Sequence, residues 1–485
     1  MEIHYFLVLS VSMVAAWLPV STGENVVTQM HVITRHGSRY PLPKDASTLQ
    51  EDTPGTITPN GQRQHLELGQ WFAEQYNSTG FFDKYHPSEV RLESSGFDRT
   101  LVSANSFALG AFDASARDPT DENVLFQKPA NIPVYSIEPG NDIYFRAYDK
   151  CPTFHQRLDE LYASTEWLTL EREHESLLRG LANLVSFQRY ADSTGKIPLT
   201  SLWNVYDEIH VARTECTVSE EGFTPTCDSL PNPADKDALS DADFQELELL
   251  TSRVEKLRYG PENAERLLGG PMLVKIIDRM ARHKSQKFFL YSAHYATILG
   301  VLSALNETFP VADTIPDYAS ALVFVLQQDT VTGKEYVQVI YKADSQDQTV
   351  PQLIQLGFCL DAPTCPLTTF MERWQDWTLF AWCKECNNQD ADVCLKYWRE
   401  EYEAENYYLE QPFLAGLLIG LGASAVLFVM GCIFCSPSQV KWDAQPEQAR
   451  QSAQVPMRSC ENNEPGESME INDAREEPVS EAVMA

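Results

Sequence analysis

Metal-site signatures are missing from this sequence. It has no His-Glu-x-x-His, no Cys/His spacing suited to zinc and no EF-hand loop, so no metal and no cofactor are expected. Positive charge is also sparse. Lys and Arg total 37 against 69 Asp and Glu, a net charge of −32 spread along the chain. Such acidity repels nucleic acid and anionic lipid at long range, so no nucleic-acid partner is expected. It suits a soluble surface, and also a low-pH compartment where some carboxylates become neutral. Any cluster of arginines must then form a local positive pocket in a negative surround.

Long apolar runs are confined to the two ends. The first begins at Tyr5 and stays apolar to Leu18, with small residues at Ser21 and Gly23. It is short and suits a signal peptide over 1–23, cleaved before Glu24, although its start lacks Lys and Arg. The second, Phe413 to Cys435, carries no charge and is long enough to cross a bilayer, giving a transmembrane helix over 412–435. Glu400, Glu401, Glu403, Glu405 and Glu410 precede it, and Lys441 is the first charge after it. That asymmetry favours a type I single-pass topology with the large domain lumenal or extracellular. Gly416 and Gly420 form a Gly-x-x-x-Gly pair that can bring two such helices together as a homodimer. The tail over 436–485 is polar, poor in aromatics and expected to be disordered and cytoplasmic.

Most of the chemistry is concentrated in Arg35-His36-Gly37-Ser38-Arg39-Tyr40-Pro41. The preceding Val26 to Ile33 reads as a strand, so two guanidiniums flank an imidazole where a strand ends. Arginine offers planar paired donors that suit phosphate oxygens. Histidine can act as a nucleophile near neutrality, and Gly37 would let the backbone come close to a ligand.

Two other segments carry matching parts. Val90 to Ser95 alternates like a strand and leads through Gly96-Phe97-Asp98 to Arg99, and a helix follows from Thr100. Phe288 to Ser292 is a short apolar run ending at Ala293-His294, followed by a helical face of Ile298, Val301, Leu302 and Leu305. Ligands of open α/β sheets bind outside the carboxyl ends of strands, so the three turns can converge on one crevice.

Together these segments resemble the histidine acid phosphatases, in the branch that holds the prostatic and lysosomal enzymes. Ile57-Thr58-Pro59-Asn60-Gly61-Gln62-Arg63-Gln64-His65 with Leu68-Gly69, Asp98-Arg99-Thr100, Cys151-Pro152 and Tyr291-Ser292-Ala293-His294 complete the likeness. The resemblance implies a phosphoglycerate-mutase-like α/β core and hydrolysis of phosphate monoesters through a phosphohistidine. His36 would attack phosphorus, while Arg35, Arg39, Arg99 and His294 would hold the phosphoryl oxygens. Phosphoryl transfer needs positioning and charge neutralisation above all, and arginines stay charged at any working pH. The endosomal-lysosomal system or the cell surface is the implied location.

One position departs from the pattern. The family places an acidic Asp after the second catalytic histidine, and this chain has Tyr295. A phenol is a weaker acid than a carboxyl by about six units. General acid catalysis contributes on the order of 10²–10⁴-fold, and alkoxide leaving groups need it most. Tyr295 can substitute as the acid, with another carboxylate entering from the helical region. It can leave a slow phosphatase that favours aryl esters. Or it can mark a silent phosphate-binding receptor or trafficking protein.

Eight cysteines lie between the two apolar ends, an even number suited to an oxidising lumen. Cys359 and Cys365 resemble the family's short late disulfide, and Cys151 would pair with Cys383 or Cys386. Cys216 and Cys227 suit a local bridge; Cys394 completes the set. Cys383-Lys384-Glu385-Cys386 also has the spacing of a redox pair, though structural bridges are the main expectation. Asn77 and Asn306 open glycosylation sequons, meaningful only with secretory entry.

The remaining pattern divides the domain into an α/β core over 24–140 and 270–411 and a helical cap over 141–269. Within the cap, helices are expected from Phe154 to Leu161, Leu177 to Phe187 and Phe244 to Leu257, interrupted by the Pro-rich Thr224 to Pro233. Thr58-Pro59 opens a helix in the core. Ala321 to Leu326 and Tyr336 to Tyr341 read as a hairpin. A cap of this sort would shape the substrate cleft.

Overall fold

The computed structural model describes residues 25–44, 55–112, 132–217, 226–260, 264–305, 314–346, 349–359 and 363–399. All of them fall in one compact unit, Met1–Leu409. The expected signal peptide over 1–23, the expected membrane span over 412–435, the expected tail over 436–485 and Asn306 lie outside the described residues. Among the described residues, no helix is long and apolar enough to cross a membrane.

A mixed sheet organises the unit. Strand β1 (Asn25–Arg35) sits between β4 (Phe288–Ala293), parallel to it, and β5 (Ala321–Asp329), antiparallel. Strand β2 (Val90–Ser95) runs parallel to β4 on its other side, and β3 (Val134–Ile137) parallel to β2. The expected hairpin pairs β5 with β6 (Glu335–Lys342), and β7 (Gln352–Ile354) follows at that edge. The order is β3-β2-β4-β1-β5-β6-β7, so β2, β4 and β1 are parallel neighbours.

Side-chain alternation sends the strands into two cores. Met30 and Val32 of β1 pack with Leu68, Phe72 and Phe107. These last come from α1 (Pro59–Gln75) and α2 (Asp98–Phe112). Thr58 caps α1 as expected, its hydroxyl accepting the Gly61 N–H at 3.0 Å. Ile33 faces the other core, with Phe289 and Tyr291 of β4. His31 lies on that face too, stacked on Phe289 with ring centroids 4.5 Å apart.

Between β3 and β4 the chain is helical. It forms α3 (Pro152–Tyr162), α4 (Thr165–Glu173), α5 (Glu175–Ala182), α6 (Leu202–Thr217), α7 (Asp241–Tyr259) and α8 (Glu265–Arg282). Helix α5 stops earlier than expected, and Val185–Tyr190 winds as a 3₁₀ helix beyond an extended Leu184. Helix α6 lacks a clear sequence signal for a physical reason. It is buried on nearly every side, and Asn204, Asp207, Glu208 and Glu215 are buried along with its apolar residues. Amphipathic periodicity therefore does not mark it.

Four disulfides join Cys151 to Cys386, Cys216 to Cys227, Cys359 to Cys365, and Cys383 to Cys394. The redox-pair reading of Cys383 and Cys386 is thereby corrected, because Cys386 is bonded to Cys151 and Cys383 to Cys394. Cys151–Cys386 closes a loop of 235 residues and ties the start of the helical segment to the end of the domain.

Candidate active site

The parallel ends of β1, β4 and β2 deliver His36, His294 and Arg99 to one place. The His36 N–H donates to the Ala293 carbonyl at 3.0 Å, continuing the ladder past the strand. His294 is the N-cap of α9 (Tyr295–Ala304). The two imidazoles meet edge to face, with centroids 5.6 Å apart. Arg35, His36, Arg39, Arg99 and His294 are all buried.

The His36 tautomer follows from its neighbour. Nδ1 lies 2.8 Å from the Gly37 carbonyl oxygen, which can only accept, so Nδ1 carries the hydrogen. Nε2 is left with its lone pair. Burial, then the charges of Arg99, Arg35 and Arg39, holds the His36 pKa well below its ordinary value. His294 is held down by burial, then by Arg99, Arg146, Lys44 and Arg39. Its Nε2 is buried without a hydrogen-bond partner. Both rings are thus neutral bases in a cationic surround.

Gly37 also meets a backbone neighbour. A Cβ there would sit 2.1 Å from the Gly61 carbonyl oxygen, so the glycine is needed for backbone contact with α1. The same loop is stitched from several sides. The Gly37 N–H donates to Ser103 Oγ at 3.0 Å, and Ser103 Oγ donates to the Arg99 carbonyl at 2.7 Å. Ser38 Oγ and Thr58 Oγ1 both donate to Glu215 of α6, the second at 2.9 Å.

The arginines are held in distinct ways. Arg35 Nη1 donates to the Pro316 carbonyl at 2.7 Å, and its guanidinium lies 4.0 Å above the Tyr318 ring. Arg39 meets the Asp207 carboxylate fork to fork, both contacts at 2.9 Å. Arg99 lies 4.6 Å over the Phe97 ring. Two further cations, Lys44 and Arg146, act on His294, and neither stands in a sequence pattern that marks it. Arg146 is 4.4 Å from the Phe97 ring and donates to Asp149 at 2.6 Å.

Tyr295 joins this group through its hydroxyl. Oη donates to Glu255 Oε2 at 2.7 Å and accepts from Lys44 Nζ at 3.2 Å. Glu255 Oε1 accepts from Arg258 Nη1 at 2.6 Å. Burial, then the charge of Glu255, pushes the Tyr295 pKa well above 10. The phenol is protonated and its hydrogen is directed at Glu255.

A family model described as the histidine phosphatase superfamily (branch 2) matches residues 26–342. A lysosomal acid phosphatase of Rattus norvegicus is 28% identical over 370 residues, covering 73% of this chain and 79% of that protein. A prostatic acid phosphatase of the same species is 27% identical over 374 residues, covering 73% and 87%. Among solved structures, the phytase from Citrobacter braakii matches with a TM-score of 0.55 at 17% identity, over 74% of this chain and 99% of that one. That likeness concerns the fold alone. The chain belongs to the histidine phosphatase superfamily, branch 2.

Proposed function

We propose that this protein hydrolyses phosphate monoesters by way of a phosphohistidine on His36. The observation that carries the reading is the locked, neutral imidazole whose free Nε2 stands among Arg35, Arg39 and Arg99. The Nε2 lone pair attacks phosphorus, the ester P–O bond breaks, and the leaving oxygen takes a proton. Water then cleaves the P–N bond and releases inorganic phosphate. Arg35, Arg99 and His294 hold the phosphoryl oxygens, while Arg39 adds charge from within its pair with Asp207. Preorganised cations of this kind supply much of the stabilisation in such transfers.

The lysosomal and prostatic relatives and the paired cysteines support a lumenal or secreted home. Anchoring over 412–435, pairing through Gly416 and Gly420, and modification of the exposed Asn77 belong to the same reading. A silent phosphate-binding receptor is the rival. It draws on one observation, the Tyr295 hydrogen committed to Glu255.

Hydrolysis of p-nitrophenyl phosphate and an alkyl phosphate by the full-length chain at about pH 5 separates the two. Turnover that His36→Ala abolishes supports the enzyme. Phosphate binding without His36-dependent turnover of either ester supports the receptor.

A further inference from the structure

We infer that the cavity between α8 and the starts of β2 and β4 is a second anion site, built for a ligand that carries two or more phosphate or sulfate groups. The cavity measures about 620 Å³, and Arg91, Lys275, Arg279, Arg282 and His283 line it. Asp278 is the acid among its lining residues. Ser88, just before β2, and Gln286, just before β4, also line it. The cavity therefore lies at the opposite ends of the strands from the turns that carry Arg99 and His294. The length of β2, six residues or about 20 Å, separates the two places.

The positive charge is arranged by the fold. Lys275, Arg279 and Arg282 recur on α8 at intervals of four and three, which puts them on one face over about 10 Å. Arg91 joins them from β2. Lys275 Nζ and Arg279 Nη2 each lie 2.6 Å from the Glu93 carboxylate, and Arg91 Nε donates to it at 3.0 Å. Three cations thus share one buried carboxylate. Burial would raise the Glu93 pKa, yet Lys275 and Arg279 bring it down to about 2. Arg282 pairs with Asp278. Around the same turns, Glu89 pairs with Lys287 and Glu335 with Lys284, so neither offsets the excess. Asp142 reaches Lys275 through space, but burial raises its pKa to about 6, so it is largely neutral at pH 5. The cavity remains cationic in a chain whose net charge is −32.

Holding α8 on the sheet needs only part of this set. Arg279 alone bonds both Glu93 and, at 3.0 Å, the Tyr291 hydroxyl. The other charges are held beside the cavity by aromatic rings. Arg91 lies 3.3 Å above the Tyr135 ring and Lys275 4.1 Å above the Tyr144 ring. Gln29 fixes the rim, donating to the His283 and Gln286 carbonyls at 3.0 and 2.8 Å. Guanidiniums present paired donors that match phosphate and sulfate oxygens, and donors already in place lose little freedom on binding. The cations extend along two turns of α8, farther than one tetrahedral oxyanion reaches, so the fitting ligand carries more than one. The volume is that of a small-molecule site.

The test is titration calorimetry at pH 5 on the full-length chain, with methylenebisphosphonate and methanedisulfonate as probes. The first stands for a phosphate-bearing ligand and the second for a sulfate-bearing one, and the tighter binder names the class. Wild type should bind two equivalents, one in the phosphate pocket and one in this cavity. Arg99→Ala should keep the cavity equivalent. Arg91→Gln with Arg282→Gln should keep only the other, with turnover of p-nitrophenyl phosphate unchanged. Each substitution alone should weaken the cavity site about tenfold. Two equivalents in the double variant, or complete loss of binding in Arg99→Ala, overturns the proposal. Should the double variant not fold, Arg282→Glu decides, because that side chain is 75% exposed and its loss leaves the packing intact. Cavity binding unchanged by Arg282→Glu overturns the proposal. Absence of His36-dependent turnover would remove the phosphatase reading and leave this site standing.

Discussion

Arg39 and Asp207, 168 residues apart, form a buried bidentate pair with both contacts at 2.9 Å. Asp207 also accepts the Leu42 N–H at 3.1 Å, so one carboxylate fixes both the side chain and the backbone of the catalytic loop. Removing it as Asp207→Ala leaves a guanidinium buried without its matching charge. Such a loss costs about 3–5 kcal/mol. The expected variant is strongly destabilised in urea, and inorganic sulfate recovers part of the loss by supplying an anion. A variant within about 1 kcal/mol of wild type would show that the pair does not hold the loop.

Buried neutral histidines set the pH dependence of the ligand-free protein. Burial lowers the His65 pKa to about 4, and its bond to the Arg35 carbonyl only partly opposes this. The folded value is depressed below the ordinary 6.5, so the unfolded chain binds the proton first. The stability is therefore full above pH 6.5 and is lost as pH falls to about 4 and below. For His65 alone the loss approaches about 3 kcal/mol. His31, His36 and His294 shift in the same direction. Melting temperature should fall steadily from pH 7 to pH 4, and His65→Gln should flatten the slope. A wild-type Tm independent of pH over that range would contradict the assignment.

An anion in the pocket should reverse part of that slope. A bound dianion favours the protonated form of His294, whose pKa burial and then the neighbouring cations depress. Binding is then coupled to proton uptake, so it strengthens as pH falls. Sulfate serves as the probe because its charge is constant here. Its Tm increment should be greater at pH 5 than at pH 7.5, and should shrink in Arg99→Ala. Equal increments at both pH values would count against a shared anion and histidine site.

Gly37 and Gly61 allow two backbones to touch. A Cβ at Gly37 would meet the Gly61 oxygen at 2.1 Å, and one at Gly61 would meet the Ser38 oxygen at 2.0 Å. Neither neighbour is a side chain that can swing away. Gly37→Ala and Gly61→Ala should each cost at least about 2 kcal/mol and misplace His36. Retained stability with unchanged turnover would refute the packing argument.

The parts of the site that were legible in the sequence are local. Arg35, His36, Arg99 and His294 each follow a short apolar strand, and parallel pairing of β1, β4 and β2 brings those turns together. Asp207, Glu215 and Glu255 were not legible. They lie on helices whose partners in the site are 168, 157 and 40 residues away, and no spacing rule encodes such contacts. Helix α6 hides two of them behind all-round burial. Gly37 was legible as a required glycine, but its close backbone contact with α1 was not. Cys151 pairs with Cys386, one of its two expected partners, and Cys383 with Cys394, so structural bridges prevail over the redox-pair spacing.

The most direct test is to trap the covalent intermediate. Full-length protein is mixed with phosphate-labelled p-nitrophenyl phosphate at about pH 5 and quenched in alkali, where phosphohistidine survives and phosphoserine does not accumulate from this chemistry. The account predicts label on the peptide containing His36, none in His36→Ala, and loss of p-nitrophenol release in that variant. Turnover that persists in His36→Ala, or label carried by another residue, would contradict it.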